Sequence, residues 1–421
     1  MNWNWEVGTG MKPAMTTARS TVTKVVLLML SVIAIAAVAA CSGSEVEAGP
    51  TATTEPDPTA TTAPAPDPTA TATATPEAVQ AVGPTATTAP TAIPVPTATP
   101  TVEPTPEGPD LSRFTDVPGI VDPTNFGWPR SVETSEGVIT LDAPPQKVHS
   151  LSLGHSEVLA ALMDFDRLTA VYNFFLDGEQ SNIATLSTDH NLIGFNPEEV
   201  VALLPDVIIA SRFTNADTVA LLTGAEIPVA RTALENSALG NVPNILLMGY
   251  MVGAELEALA LVEEIESRMQ LITDALPGGE KPRVLSVSKW TSAFAAGSDT
   301  TEGGIIEQAG GINAAADSGI EGHQQVSIES IAAINPDVIL VPQPLEGANA
   351  YIEELTSSPA LAEVPAIKNG QIHYVLPKYH TTLSHWNVRG IEDLASLLYP
   401  SAFTGVTFED FSNWTAPAGN P

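Results

Sequence analysis

Glu198-Glu199-Val200-Val201-Ala202-Leu203-Leu204-Pro205-Asp206-Val207-Ile208-Ile209 recurs without a gap as Glu329-Ser330-Ile331-Ala332-Ala333-Ile334-Asn335-Pro336-Asp337-Val338-Ile339-Leu340. Each copy has the same physical reading. Asn196-Pro197 or Ser327-Ile328 opens a short helix, and acidic residues in its first turn complement the helix dipole. Pro205 or Pro336 then stops it, because proline cannot continue the hydrogen-bond ladder. The apolar run that follows reads as a buried strand. Two copies of one supersecondary unit predict two similar lobes.

Working outward, apolar runs alternate with helical patterns from Phe114 onward, the signature of βαβ units and a largely parallel sheet. Residues 131–141 read as a hairpin around Glu136-Gly137, 148–153 as a strand, 157–163 as a helix and 168–172 as the next strand. Between the two copies, 244–276 contains no proline and keeps an apolar face through Leu247, Val252, Leu256, Leu259, Ile265, Met269 and Ile272. A single helix over that stretch would span roughly 50 Å and join the lobes stiffly. The second lobe opens with a strand over 283–290, and a helix near Gly304 ends at Gly310-Gly311, which suits a left-handed cap. The expected fold is therefore α/β, with two Rossmann-like lobes of mostly parallel sheet joined by one long α-helix and preceded by a disordered stalk. Its expected boundaries are 1–40, 41–108, 109–243, 244–277, 278–402 and 403–421: signal, tether, first lobe, bridging helix, second lobe and C-terminal tail.

The N-terminal third is of another kind. Lys12, Arg19 and Lys24 precede an apolar run over 25–40, short of the roughly 20 residues that cross a bilayer comfortably as a helix. It ends at Val38-Ala39-Ala40-Cys41, followed by Ser42-Gly43-Ser44, the layout of a cleaved export signal. Glu6 and two tryptophans before Met11 suit such a signal poorly, so Met11 or Met15 is the expected start. Cys41 is the chain's 1 cysteine, so no intramolecular disulfide can form. Residues 42–108 are Thr, Pro and Ala with acidic residues and no Lys or Arg; they cannot bury enough apolar surface to offset their ordering entropy. As extended polyproline II, that tether would reach about 200 Å. The formal net charge of −33 excludes nucleic acid as a partner, since phosphate binding requires Lys and Arg.

These features together resemble a known family, the cobalamin-, siderophore- and haem-binding class of ABC transporter substrate-binding lipoproteins, whose two Rossmann-like lobes are bridged by a rigid helix. The motifs that carry the resemblance are Pro145-Gln146-Lys147-Val148-His149-Ser150-Leu151, the two copies quoted above, Gly303-Gly304-Ile305-Ile306-Glu307-Gln308-Ala309-Gly310-Gly311, and Gly390-Ile391-Glu392-Asp393-Leu394-Ala395-Ser396-Leu397-Leu398-Tyr399-Pro400. Together they span about 130–400. The resemblance implies a receptor without catalytic residues or an intrinsic cofactor. It would capture an iron-siderophore-type chelate, or alternatively haem or a corrinoid such as cobalamin, between the lobes. It would deliver that ligand to an ABC permease dimer and its ATPase, with Glu198 and Glu329 docking on the permease. Cys41 resembles a lipobox cysteine, which implies a monomer lipid-anchored at the outer face of the cell membrane. The usual leucine three positions before that cysteine is valine here.

In open parallel sheets a ligand sits beyond the carboxyl ends of the strands. Residues just after the predicted strands are His155, Tyr172, Phe174, Arg212 and Phe213 in the first lobe; Trp290, Tyr379, His380, His385 and Trp386 come from the second. With His323, they predict an aromatic cleft bearing a few cationic or metal-competent groups, suited to a bulky, partly apolar ligand. The histidines lack compact metal-ligand spacing, so no bare metal site is expected. Neither Gly-x-Ser-x-Gly nor a P-loop occurs, and catalysis is not expected. A standalone chelate-binding sensor or chelatase-like surface protein without a permease is the alternative reading.

Overall fold

The structure is a computed structural model, and it describes residues 109–415. The export signal, Cys41, the tether and the last six residues of the expected tail, 416–421, lie outside the described residues. The first lobe contains β1 (Arg130–Thr134), β2 (Gly137–Leu141), β3 (Val148–Ser150), α1 (Leu153–Leu162), β4 (Val171–Tyr172), α2 (Ala184–Ser187), β5 (Leu192–Ile193), α3 (Pro197–Ala202), β6 (Val207–Ser211), α4 (Ala216–Gly224) and β7 (Val229–Thr232). Helices α5 (Val242–Val252) and α6 (Glu255–Ala275) follow. The second lobe contains β8 (Arg283–Lys289), β9 (Ala293–Ala296), α7 (Thr301–Gln308), β10 (Ile312–Asn313), α8 (Ala314–Asp317), β11 (His323–Gln325), α9 (Ile328–Ile334), β12 (Val338–Val341), α10 (Leu345–Ser357), α11 (Pro365–Lys368), β13 (Ile372–Tyr374), α12 (Pro377–His380) and α13 (Asn387–Leu398).

The fold is α/β with mostly parallel sheets. In the first lobe β3, β6 and β7 run parallel, with the parallel pair β4–β5 beside them. In the second lobe β8, β12 and β13 run parallel, while β9 and β11 extend the sheet antiparallel. The expected hairpin is β1–β2, in register from Arg130 opposite Leu141 to Thr134 opposite Gly137.

The repeated sequence makes one module twice, in two separate sheets. Asn196 caps α3 through Glu198 N–H, and Ser327 caps α9 through Ser330 N–H. Each helix then ends in a left-handed residue at the equivalent place, Leu204 (φ 50°) and Asn335 (φ 52°). Asp206 next accepts the N–H groups of Gln146 and Lys147 at the start of β3, and Asp337 accepts that of Arg283 at the start of β8. Each carboxylate thereby sets the register of its strand on its parallel neighbour, Val207 beside Val148 and Val338 beside Val284.

The expected single helix over 244–277 is corrected. The chain breaks at Gly253, whose φ of 72° closes α5, and α6 restarts at Glu255. The two helices pack so closely that a Cβ on Gly249 would sit 2.5 Å from that of Ala258. Absence of proline was an insufficient criterion, because a left-handed glycine ends a helix as effectively. The bridging element is thus α6 alone, 21 residues and about 32 Å long. It buries Ala258, Leu261, Val262, Ile265, Met269 and Ile272 at helical spacing and packs against α1 and α5 on one side and α13 on the other. One apolar core consequently runs through both lobes, from Leu159 and Ile209 through Ile265 to Ile305 and Leu394.

Behind α6, residues 403–415 form a strap rather than a loose tail. Phe411 packs edge-on against His385 and Trp386, and the Arg268 guanidinium stacks over its ring at 4.0 Å. Trp414 N–H donates to Ala160 O of α1 at 2.8 Å.

Exposed Leu204 occupies a backbone region that costs a non-glycine residue about 1–2 kcal/mol, and asparagine tolerates it best. Leu204→Asn, copying the second module, is expected to raise unfolding stability by up to about 1 kcal/mol in a urea titration; a lower midpoint would show that the leucine makes a stabilising contact.

Candidate functional site

Short parallel strands end in exposed aromatic side chains on the first lobe. Tyr172 closes β4 and is buried, with its hydroxyl 3.2 Å from His149 Nε2. Burial pushes its phenol up to about 12, so it stays neutral at ordinary pH. Its ring supports two others. Phe195 stacks on it at 4.8 Å with an interplanar angle of 8°, and Phe174 lies nearly parallel at 6.2 Å and 17°. Phe195 is 77% exposed and Phe174 41%. The three rings form a stacked shelf in which Tyr172 is buried and Phe174 and Phe195 are open to solvent. Phe195 was not anticipated from the sequence, because β5 is only two residues long and too short to show in the pattern; its place just before the Asn196-Pro197 cap was the available signal.

Arg212 and Phe213 follow β6, and both are exposed. The guanidinium lies 5.3 Å from the Phe213 centroid and only 3.5 Å from Glu235 Oε2, a loose pair that leaves the cation able to turn to another anion. On the second lobe Trp290 follows β8 and is 67% exposed. The carboxyl ends of the two sheets meet at the loop after the shelf. Glu179 Oε2 accepts Leu345 N–H at the start of α10, and Glu179 O accepts Lys378 N–H. The exposed aromatics thus lie at carboxyl strand ends, as the fold rule anticipates.

The histidines are placed differently. His155 lies within the first turn of α1, which begins four residues before the expected start because Ser152 caps it. Wholly buried, His155 bridges Ser152 Oγ at 2.6 Å and Thr232 Oγ1 at 2.8 Å, tying α1 to β7. His323 is exposed on the outer strand β11, and Glu302, 3.1 Å away, raises its pKa. Tyr379, His380, His385 and Trp386 are all buried in the second lobe. Tyr379 donates to Asp410 and stacks on Trp386 at 6.0 Å, so Tyr379, His385 and Trp386 pack under the C-terminal strap, whereas His380 lines a cavity with Leu340, Tyr374 and Leu394. Of the expected ligand-contacting residues, Tyr172 and Phe174 come together in the shelf, Arg212 and Trp290 stay exposed, and the histidine–tryptophan group is core. Among the described residues no three His, Cys, Asp or Glu side chains are grouped to hold a metal ion. Glu198 and Glu329 are exposed at equivalent points near the starts of α3 and α9.

Two lobes fastened by one helix, with exposed aromatics at their carboxyl strand ends, define a two-lobed ligand-binding protein. Residues 148–379, more than half of the chain, match the family described as periplasmic binding protein, and the chain belongs to that family. It is 29% identical over 238 residues to a cobalamin-binding protein of Halobacterium salinarum; that match covers 56% of this chain and 63% of the relative's length. It is 27% identical over 278 residues to the uncharacterized ABC transporter substrate-binding lipoprotein YvrC of Bacillus subtilis, covering 64% of this chain and 85% of that protein. The fold is also that of the periplasmic heme-binding protein HutB of Vibrio cholerae, with a TM-score of 0.53 and 24% identity, covering 61% of this chain and 99% of that one. Among the described residues no helix is long and apolar enough to cross a membrane.

Burial depresses five histidines, His149 and His155 to about 4, His380 and His385 to about 3, and His373 in the same direction. The folded state excludes their protons, whereas the unfolded chain takes them up below about 6.5, so stability is full above that pH and falls on acidification. Each histidine contributes at most about 1.4 kcal/mol per pH unit; the raised carboxyls of Glu157 and Asp393 and the raised imidazole of His323 oppose this. Melting temperature is expected to drop steadily from pH 6.5 to 4. His385→Phe removes two unpartnered ring nitrogens and should flatten that slope by about one proton, whereas an unchanged slope would place its titration elsewhere.

Proposed function

We propose that this protein is the extracytoplasmic substrate-binding component of an ABC importer, lipid-anchored through Cys41, and that it captures a metal chelate in the groove between its lobes. The observation that carries the ligand reading is the shelf of Tyr172, Phe174 and Phe195, with Phe213 and Trp290 also exposed after strands β6 and β8. Stacked aromatic faces recognise a large conjugated or partly apolar surface by area and dispersion. The shelf itself offers no free axial donor, because Tyr172 is neutral and bonded to His149. This favours a ligand whose metal is already enclosed and which is held by its faces. A corrinoid answers that description best, and the Halobacterium relative is named for cobalamin. The iron-siderophore complex expected from the sequence, also fully coordinated, is the second reading. Haem fits less well, because its open axial position calls for a protein ligand.

Glu198 and Glu329 support the importer reading. They project from two copies of one module, as a roughly twofold contact with a dimeric permease requires. Exposed carboxylates would set register and selectivity more than affinity.

Tryptophan fluorescence titration with cyanocobalamin, a ferric siderophore and haem tests the ligand. Cyanocobalamin is expected to quench with the highest affinity, and Phe195→Ala should weaken it about tenfold or more, the cost of a lost aromatic anchor. Silence toward all three would defeat the ligand assignment while leaving the fold intact.

Charge reversal tests the partner. Glu198→Arg with Glu329→Arg should abolish vesicle-reconstituted uptake with binding kept within about twofold. Uptake at the wild-type rate would favour the standalone sensor.

A further inference from the structure

Glu157 lies in the second turn of α1, fully buried, and no Lys, Arg or His among the described residues forms an ion pair with it. A carboxylate out of water without a cation must be met by hydrogen-bond donors, and four converge here. Oε1 accepts from Asn182 N–H and from Asn182 Nδ2, both at 2.9 Å. Oε2 accepts from Thr382 Oγ1 at 2.7 Å and from Ser384 Oγ. The division is by lobe. One oxygen holds the first-lobe loop that leaves the aromatic shelf after Phe174, and the other holds the second-lobe segment between α12 and α13. Asn182 spends its remaining N–H on Lys378 O, which adds to the two Glu179 bonds that already tie the same loop to the second lobe.

From this we infer that Glu157 is a positioning residue for the groove: a single carboxylate that brackets the two ligand-facing walls and fixes the shelf against the second lobe. It touches no ligand surface itself. The inference rests on the groove being the binding site, but the bracket can be read without a ligand. Thr382→Val with Ser384→Ala deletes the second-lobe donors and leaves the shelf untouched. Amide hydrogen exchange of the ligand-free full chain is expected to quicken about tenfold across 177–183 and 380–385, with β12 and α6 unchanged. Affinity for whichever probe the wild type binds, cyanocobalamin, ferric siderophore or haem, should fall by a similar factor with the melting temperature within a few degrees. Reach, not charge, is what the bracket needs. Glu157→Gln should therefore keep most of the protection, because hydroxyls can turn to accept from its amide, whereas Glu157→Asp should lose it as fully as Glu157→Ala. Exchange at 177–183 unchanged in the double variant, or Glu157→Asp behaving as wild type, overturns the bracket. If the wild type binds none of the probes, the ligand reading fails and the exchange data still decide the bracket.

Discussion

The fold depends on a pair of aspartates that do the same work in two places. Asp206 and Asp337 each follow a proline that has stopped a helix, and each turns its carboxylate onto the backbone N–H groups where the neighbouring parallel strand begins. Parallel strands cannot be set by a tight hairpin, so their register must come from outside the ladder. A slip of one residue would turn Val207 and Ile209 away from the core that they share with Val148, or Val338 and Leu340 away from the one shared with Val284. With both registers fixed, the strands end where the aromatic side chains emerge.

The lobes are then fastened on two sides by different physics. At the back, Glu392 is fully buried but paired, taking Arg268 Nε at 2.7 Å and Arg389 Nη1 at 2.8 Å. Arg268 comes from α6, so this ion pair welds the bridging helix to α13, and the Phe411 ring caps the guanidinium. At the front, Glu157 is met by neutral donors alone. Removing one partner from a buried ion pair leaves an uncompensated charge, whereas hydroxyl donors can reorient. The back is accordingly the stiff side of the seam and the front its adjustable side. That asymmetry leaves the loop at 177–183 the more easily adjusted part of the seam, with a continuous apolar core through α6 behind it.

Much of this was legible in the sequence, for identifiable reasons. The doubled module showed because helix cap, proline stop and aspartate are local devices with fixed spacing, and the β1–β2 hairpin and the glycine cap after α7, with Gly310 at φ 86°, showed for the same reason. The errors arose where tertiary structure overrules local pattern. Gly253 carries no signal that separates a tolerated helical glycine from a left-handed cap; Trp128, packed 3.3 Å from where its Cβ would be, belongs to a segment far away in sequence. His155 follows a strand, as a groove residue should, yet the Ser152 cap draws it into α1 and the hydroxyl of Thr232 takes its outer nitrogen. His385 and Trp386 resembled a ligand wall because their partner, Phe411, comes from a stretch that reads as a polar tail.

The charge balance bears on which groups a ligand can present. With 49 acidic against 16 basic residues, the protein repels free anions at long range, and that effect is strongest at low salt. An anionic cargo must therefore gain at close quarters what it loses on approach. Arg212 keeps a cation exposed within that acidic field: its pairing with Glu235 is long and half-exposed, so breaking it forfeits little. Phe174, Phe195 and Trp290 leave aromatic area open to water, and covering it carries no such penalty for a neutral partner. The same acidity has the opposite effect on a cationic partner surface, which the long-range field attracts.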